Sequence, residues 1–324
     1  MLQRRLPILS LALLFTLLLV PAARAEQPLR WKFSPDKPLE YLIEQKATTT
    51  FNVEGVEFTA RTRTAFDVTW TVTSVGEGGV ATISQKVKRI RLEFHAPRVA
   101  GGALGDLDYD SQDGKPGEGR IWEAIKPVLL ELPGSEFTLQ VSPRGELVDM
   151  KLSEKLAEAV AKLPSSPMFA GGNLFSQEGL RGAMELAIQT LPEQPVAKEA
   201  TWPRKIERKI PNAGAIVIDL TSTLGDNQTI SGRESVRIGL KSNSSYQPPE
   251  AENAGLKLEI IDQSGSGDCY FDAAAGCTLG SRFRQELSLA GEFGANAFTQ
   301  DIETLLSVTL SGCDLPAEEE ADKP

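Results

Sequence analysis

Few side chains in this sequence are of types that could do chemistry: one histidine, His95, and three cysteines, Cys269, Cys277 and Cys313. A single histidine cannot build a multi-histidine zinc site, and a Ser-His-Asp or Cys-His arrangement would have to use this one. In a strand of period two, His95 shares a face with Arg91 and Glu93, opposite Ile90, Leu92 and Phe94. It is therefore expected at a solvated strand end, without the positioned partner that acid-base work requires.

Cys269 and Cys277 have the parity of Phe271, Leu279, Phe283, Leu287 and Leu289, which turns both to an apolar side. With no activating cation close in sequence they read as buried structural sulfur rather than nucleophiles. If Gly276 is the left-handed residue of a three-residue loop, Ala273 faces Cys277 and Cys269 faces Ser281, too many rungs from Cys277 for a disulfide. A register centred on Ala273 would put the two opposite each other, so the pairing among the three cysteines stays open.

Asp106, Asp108, Asp110 and Asp113, ending in Gly114, invite a calcium reading. Counted from Asp108, however, the sixth position is Asp113 rather than glycine and the twelfth is Gly119 rather than glutamate, which breaks the EF-hand pattern. Gly171-Gly172, Gly76 to Gly79 and Gly265-Ser266-Gly267 lack the lysine-serine pair or following helix of a nucleotide-binding loop. No metal site and no cofactor are expected. A carboxylate pair for glycoside hydrolysis would meet in space and leaves no trace in spacing.

The N-terminus carries Arg4 and Arg5, an apolar run from Ile8 to Val20, Pro21, and then Ala23-Arg24-Ala25. That is the three-part pattern of a secretory signal peptide over residues 1–25, and its run of 13 residues is short for a bilayer span. The mature chain is expected to be secreted or periplasmic and not an integral membrane protein. Removal of 1–25 takes three arginines and no acid, moving the net charge from −10 to −13. Nucleic acid is excluded as a partner on that balance. The basic stretches Lys86 to Arg91 and Arg204 to Lys209 alternate with Val87, Ile90 and Ile206 and read as solvated strand faces.

The elements that position these residues are mainly β with inserted helices, an α+β layout of long curved antiparallel sheets. From Phe58 to Val75 the even positions carry Phe66, Val68, Trp70 and Val72 and the odd positions are polar. The return strand switches parity between Val87 and Ile90, which predicts a β-bulge near Lys88 or Arg89. Ser142-Pro143-Arg144-Gly145 turns a hairpin within Phe137 to Met150, and Ala273 to Gly276 turns another. Between Ser153 and Leu191 apolar residues recur at three and four, predicting two helices capped by Ser153 and Ser176, and a shorter helix over Arg120 to Lys126 ends before Pro127. Strands resume around Ile216 to Leu224, Val236 to Leu240 and Leu256 to Ile260. The expected organisation is an N-terminal β-rich half over 26–150, a helical segment over 151–192, a C-terminal β-rich half over 193–313, and an acidic disordered tail over 314–324.

Between the helices, Met168, Phe169, Leu174 and Phe175 flank Ala170-Gly171-Gly172. Apolar groups gathered in a loop can form a lid or contact surface for a ligand or partner. Folding back onto the core is the competing role.

Tyr109-Asp110-Ser111, the hairpin from Phe137 to Glu146, Leu191-Pro192 ahead of Trp202, and Phe271-Asp272 with Gly276 resemble an uncharacterised family of exported bacterial proteins, a domain of unknown function. The resemblance spans most of residues 39–291 and implies no activity or site. At the level of architecture, long amphipathic strands with inserted helices are similar to the incomplete barrels of periplasmic lipoprotein and lipid carriers. The function expected is non-catalytic binding of an apolar ligand or an envelope protein; the alternatives are a structural or assembly role and a carboxylate-based hydrolase. N-terminal sequencing of exported protein should begin at Glu26; material still carrying 1–25 would refute the cleavage reading.

Overall fold

A computed structural model describes residues 28–97, 105–115, 117–163, 175, 177–210, 214–249, 256–293 and 296–317. The N-terminal strands are β1 (Leu39–Val53), β2 (Val56–Val75), β3 (Ala81–His95), β4 (Leu107–Asp110), β5 (Glu136–Val141) and β6 (Leu147–Lys151). Helices α1 (Gly119–Glu131), α2 (Glu154–Ala161) and α3 (Gln177–Ala187) follow β4 and β6. The C-terminal strands are β7 (Thr201–Ile210), β8 (Gly214–Ile230), β9 (Arg233–Gln247), β10 (Leu256–Asp272), β11 (Cys277–Phe293) and β12 (Asn296–Leu310).

All twelve strands form one antiparallel sheet in the order β6-β5-β3-β2-β1-β12-β11-β10-β9-β8-β7, with β4 also on β3. The β-rich halves expected from the sequence are thus one sheet, joined where β1 pairs with β12 from Tyr41 opposite Leu310 to Val53 opposite Phe298. Alternation fixes the inner face. Tyr41, Ile43, Phe66, Val68, Trp70, Phe283, Leu306, Val308 and Leu310 are buried on it. The anticipated bulge is present: Asp67 pairs with Arg89 and Val68 with Val87, leaving Lys88 as the extra residue. Glycines let the strands coil closely: a Cβ on Gly265 would stand 1.9 Å from Ser242 Oγ, and one on Gly267 2.0 Å from the Arg282 carbonyl.

Two of the turns read from sequence are tied together by the segment before β1. The Trp31 amide donates to the Pro143 carbonyl at 2.8 Å and the Lys32 amide to the Gly276 carbonyl at 2.9 Å. The Trp31 indole donates to the Gln189 carbonyl at 3.0 Å and packs edge-on against Phe271, 5.7 Å away. Gly145 (φ 80°) and Gly276 (φ 69°) need glycine for their backbone conformation and for this contact. A Cβ at Gly145 would lie 2.1 Å from the Gln189 carbonyl.

Helix α1 departs from the sequence expectation by running through Pro127 to Glu131. An interior proline loses a hydrogen bond and crowds the preceding turn. Here Val128, Leu129 and Leu132 are buried beyond it, and that burial offsets the cost of continuing the helix. Trp122 of α1 packs on Tyr109 at 5.2 Å, which holds β4 against the helix. The strand is fixed on its polar side by Arg89, whose Nε donates to Asp110 Oδ1 at 2.9 Å while Nη2 bonds the other oxygen.

The Arg89 hydrogen bonds hold the Asp110 carboxyl at about 2, below its ordinary value of 3.8. Because the folded value is depressed, the stability it contributes is complete above about 3.8 and is lost as pH falls towards 2. Asp110→Asn should therefore flatten the acid limb of stability across that window. Denaturant melts at several pH values test it, and an acid limb identical to the parent's would show that the pair contributes nothing.

Candidate functional site

Helix α3 lies between the two ends of the sheet, in contact with β6 and with β7. Leu180, Ala183, Met184 and Ala187 are buried at helical spacing. Leu180, Ala183 and Met184 face Ile43, Phe66, Val68 and Phe137 around a cavity of about 20 Å³. That volume holds about one water and no larger ligand.

Polar contacts fasten both flanks of the helix. On the β6 side Arg181 Nη2 donates to the Leu147 carbonyl at 3.2 Å, and its Nε pairs with Glu185 at 3.0 Å. On the β7 side Arg204 Nη1 donates to the carbonyls of Glu185 at 2.6 Å and Ile188 at 3.2 Å, satisfying the C-terminal end of the helix. Beyond α3 the Trp202 indole donates to the Thr190 carbonyl at 2.9 Å, and the Leu191 amide to the Arg144 carbonyl at 2.7 Å.

The inner face continues past this filled region. One row runs Phe58, Phe51, Gln300, Leu289 and Ile260 across β2, β1, β12, β11 and β10. The next runs Ala60, Thr49, Ile302, Leu287 and Gln263. Phe51 and Phe58 stack at 4.9 Å. None of the apolar members of these rows belongs to the main core. Ile206 and Ile218, paired on β7 and β8, are likewise buried apart from it.

The sheet also splits. β9 and β10 pair only from Val236–Lys241 to Ser266–Phe271. Further along, the Gln263 side chain takes the place of a backbone rung, accepting from the Ser244 amide at 3.1 Å. An open cleft of about 470 Å³ lies there, lined by Ser244 to Tyr246 and Leu258 to Gln263. Ile261, the residue of a β-bulge, is 60% exposed at its rim.

The stretch Arg204 to Lys209 is not a solvated face throughout. Arg204 and Arg208 share the inward parity of Trp202 and Ile206, and only Lys205, Glu207 and Lys209 are exposed. Burial pushes both guanidinium groups down from their usual range, with Glu185 acting in the other direction. Lys86 and Lys88 do stand exposed on the outer face, where Arg89 and Arg91 form ion pairs with Asp110 and Asp67.

Phe175 is 8% exposed and belongs to the main core. Met168, Phe169 and Leu174 lie outside the described residues. The His95 side chain is 51% exposed, 3.4 Å from Asp106 and 3.8 Å from Asp108. Among the described residues no group of three or more histidine, cysteine or acidic side chains is arranged to hold a metal. All three cysteines are buried and free; Cys269 does pair with Ser281, but Asp272 rather than Ala273 faces Cys277, and a bulge between Tyr270 and Phe271 makes up the difference. Burial pushes the Cys269 thiol up to about 12. A cation missed in the sequence does stand near Cys277: Arg233 Nη2 lies 3.7 Å from its sulfur. That arginine is engaged by Asp272 at 2.8 Å, and burial still holds the Cys277 thiol above its usual range.

No family model matches this chain, and no curated protein does. Among solved structures, DynF from the dynemicin biosynthesis pathway of Micromonospora chersina is 10% identical, over 86% of this chain and 84% of that one. The TM-score is 0.18, at which the likeness carries no argument. No helix among the described residues is long and apolar enough to cross a membrane, which says nothing of crossing by strands.

Phe175→Ala should lower stability by about 3–5 kcal/mol if the side chain packs as it stands here. A denaturant melt measures this; a loss well under 1 kcal/mol would return Phe175 to the role of a contact residue.

Proposed function

We propose that this chain is a non-catalytic exported protein of the bacterial envelope that holds an apolar ligand against the inner face of its coiled sheet. The observation that carries this reading is the continuation of apolar rows, through the half-buried Phe51, Phe58, Ile302 and Ile260, beyond the part of the sheet that α3 fills. Large apolar side chains in a concave face outside the core are what a ligand with hydrocarbon character would cover. An open cleft lies where β9 and β10 separate, with Ile260 in its lining. Export is supported by Arg4, Arg5, the run from Ile8 to Val20 and Ala23-Arg24-Ala25, and by the resemblance to exported bacterial proteins of unknown function.

A structural or assembly role is favoured by a different observation, the packing of Leu180, Ala183 and Met184 of α3 onto the sheet around a cavity of about 20 Å³. A carboxylate hydrolase has less support. It would need an acid held protonated near neutral pH. Burial alone would raise Glu44, but hydrogen bonds from Arg63 and Lys46 outweigh it and hold the carboxyl low. Asp110 is held low by Arg89.

Native mass spectrometry of protein purified from its own envelope should show bound amphiphile or hydrocarbon, and the stripped protein should take up a fluorescent apolar probe. A clean mass together with no probe binding would overturn the carrier reading and leave the assembly role.

A further inference from the structure

We infer that Arg208 is the headgroup site of the ligand, and that the ligand is an amphiphile bearing a single oxyanion, a carboxylate or a phosphate, on its apolar chain. This rests on the apolar-ligand reading and adds the chemistry of the head.

The other arginines around α3 and the cysteines have stated partners. Arg204 caps the helix carbonyls, Arg181 joins Glu185 to the Leu147 carbonyl, and Arg233 is held by Asp272. Arg208 differs. Its Nε is buried with no hydrogen-bond partner, although it points to the inside of the sheet from β7. The guanidinium lies against α3 at Gly182, where a Cβ would stand 3.5 Å from Nε and 3.8 Å from Nη2. The helix therefore offers it no side chain at the nearest point.

Arg208 is half-buried with its Nε sealed and unpaired; leaving a polar atom of a cation in that state is costly, and an aliphatic side chain in the same place would remove the cost. The acid nearest in the electrostatics of Arg208 is Glu185, which already binds Arg181 at 3.0 Å. Among the described residues, Glu185 is thus engaged by Arg181 before it can serve Arg208, while Arg204 is influenced by Glu146 as well. A local positive excess on an inner face fits an anion, and a guanidinium fork matches the two oxygens of a carboxylate or phosphate.

What adjoins the arginine specifies the rest of the ligand. Across β8 and β9 its row continues to Ile216 and Tyr246, and the next row holds Ile206 and Ile218. Tyr246 also lines the open cleft between β9 and β10. Ile206 and Ile218 are already covered by the protein, so a hydrocarbon chain leaving the head at Arg208 meets the half-buried Ile216 and Tyr246 and the open cleft beside them. A free, multiply charged anion fits less well, since the acidic chain repels it and the apolar neighbours give it nothing.

The test compares oleate, its neutral counterpart glycerol mono-oleate, and inorganic phosphate on the stripped full-length mature protein, with Arg208→Gln and Arg208→Lys beside the parent. The parent should bind oleate at least about tenfold more tightly than the neutral ester, the margin of one charge-assisted pair. Arg208→Gln should abolish that margin without weakening the ester, Arg208→Lys should keep part of it, and neither should melt below the parent. Equal binding of oleate and ester by the parent would overturn the headgroup inference and leave the apolar-ligand reading standing. Failure of the parent to bind either lipid would remove both. Phosphate binding as tightly as oleate, and lost in Arg208→Gln, would instead make this a site for a free anion and overturn the amphiphile. The parent's own discrimination decides the matter even if a variant does not fold.

Discussion

The sheet has two free ends, at β6 and β7, and α3 is in contact with both. An edge strand presents unpaired backbone groups, and proteins cover such edges or remove them. Twelve coiled strands bring these ends close enough for a single helix to serve both, through Arg181 to the Leu147 carbonyl and through Arg204 to the helix carbonyls. Where the helix sits, the interior is filled by Leu180, Ala183 and Met184. Past the helix the inner rows lie outside the main core, with Leu287 and Leu289 buried and Phe51, Phe58, Ile260 and Ile302 half-buried.

The outer face is organised by charge. Arg63 reaches both Glu44 and Glu93, and Arg91 reaches Asp67, each across neighbouring strands. Exposed pairs of this kind contribute little to stability in water. They suit one register better than its neighbours, because a slip of one residue would turn every charge inward. The inner arginines bond mainly to backbone carbonyls, and their environment differs accordingly.

Local periodicity carried much of the strand layout. Phe66, Val68, Trp70 and Val72 revealed β2, the change of parity after Val87 located the bulge, and Ser142-Pro143-Arg144-Gly145 marked its hairpin. The pairing of β1 with β12 was not legible. Thr48-Thr49-Thr50 and Thr299-Gln300-Asp301 show no clean alternation, and the choice of partner across a sheet is not a local property. Arg208 was hidden by Lys205, Glu207 and Lys209, which make the stretch look uniformly solvated. The available signal was its parity with Trp202 and Ile206. Arg233 offered none, since only the folded register brings it to Cys277. Pro127 misled because the burial that carries α1 through it is tertiary.

The β1–β12 ladder joins residues near the two ends of the described chain, Tyr41 with Leu310. A chain that emerges N-terminus first can close the β1–β2 hairpin early, but the other edge of β1 waits until β12 has emerged. Contacts of such sequence separation slow folding, because the loop entropy is lost before the contact is gained. Until then one edge of β1, at the centre of the sheet, has no partner strand.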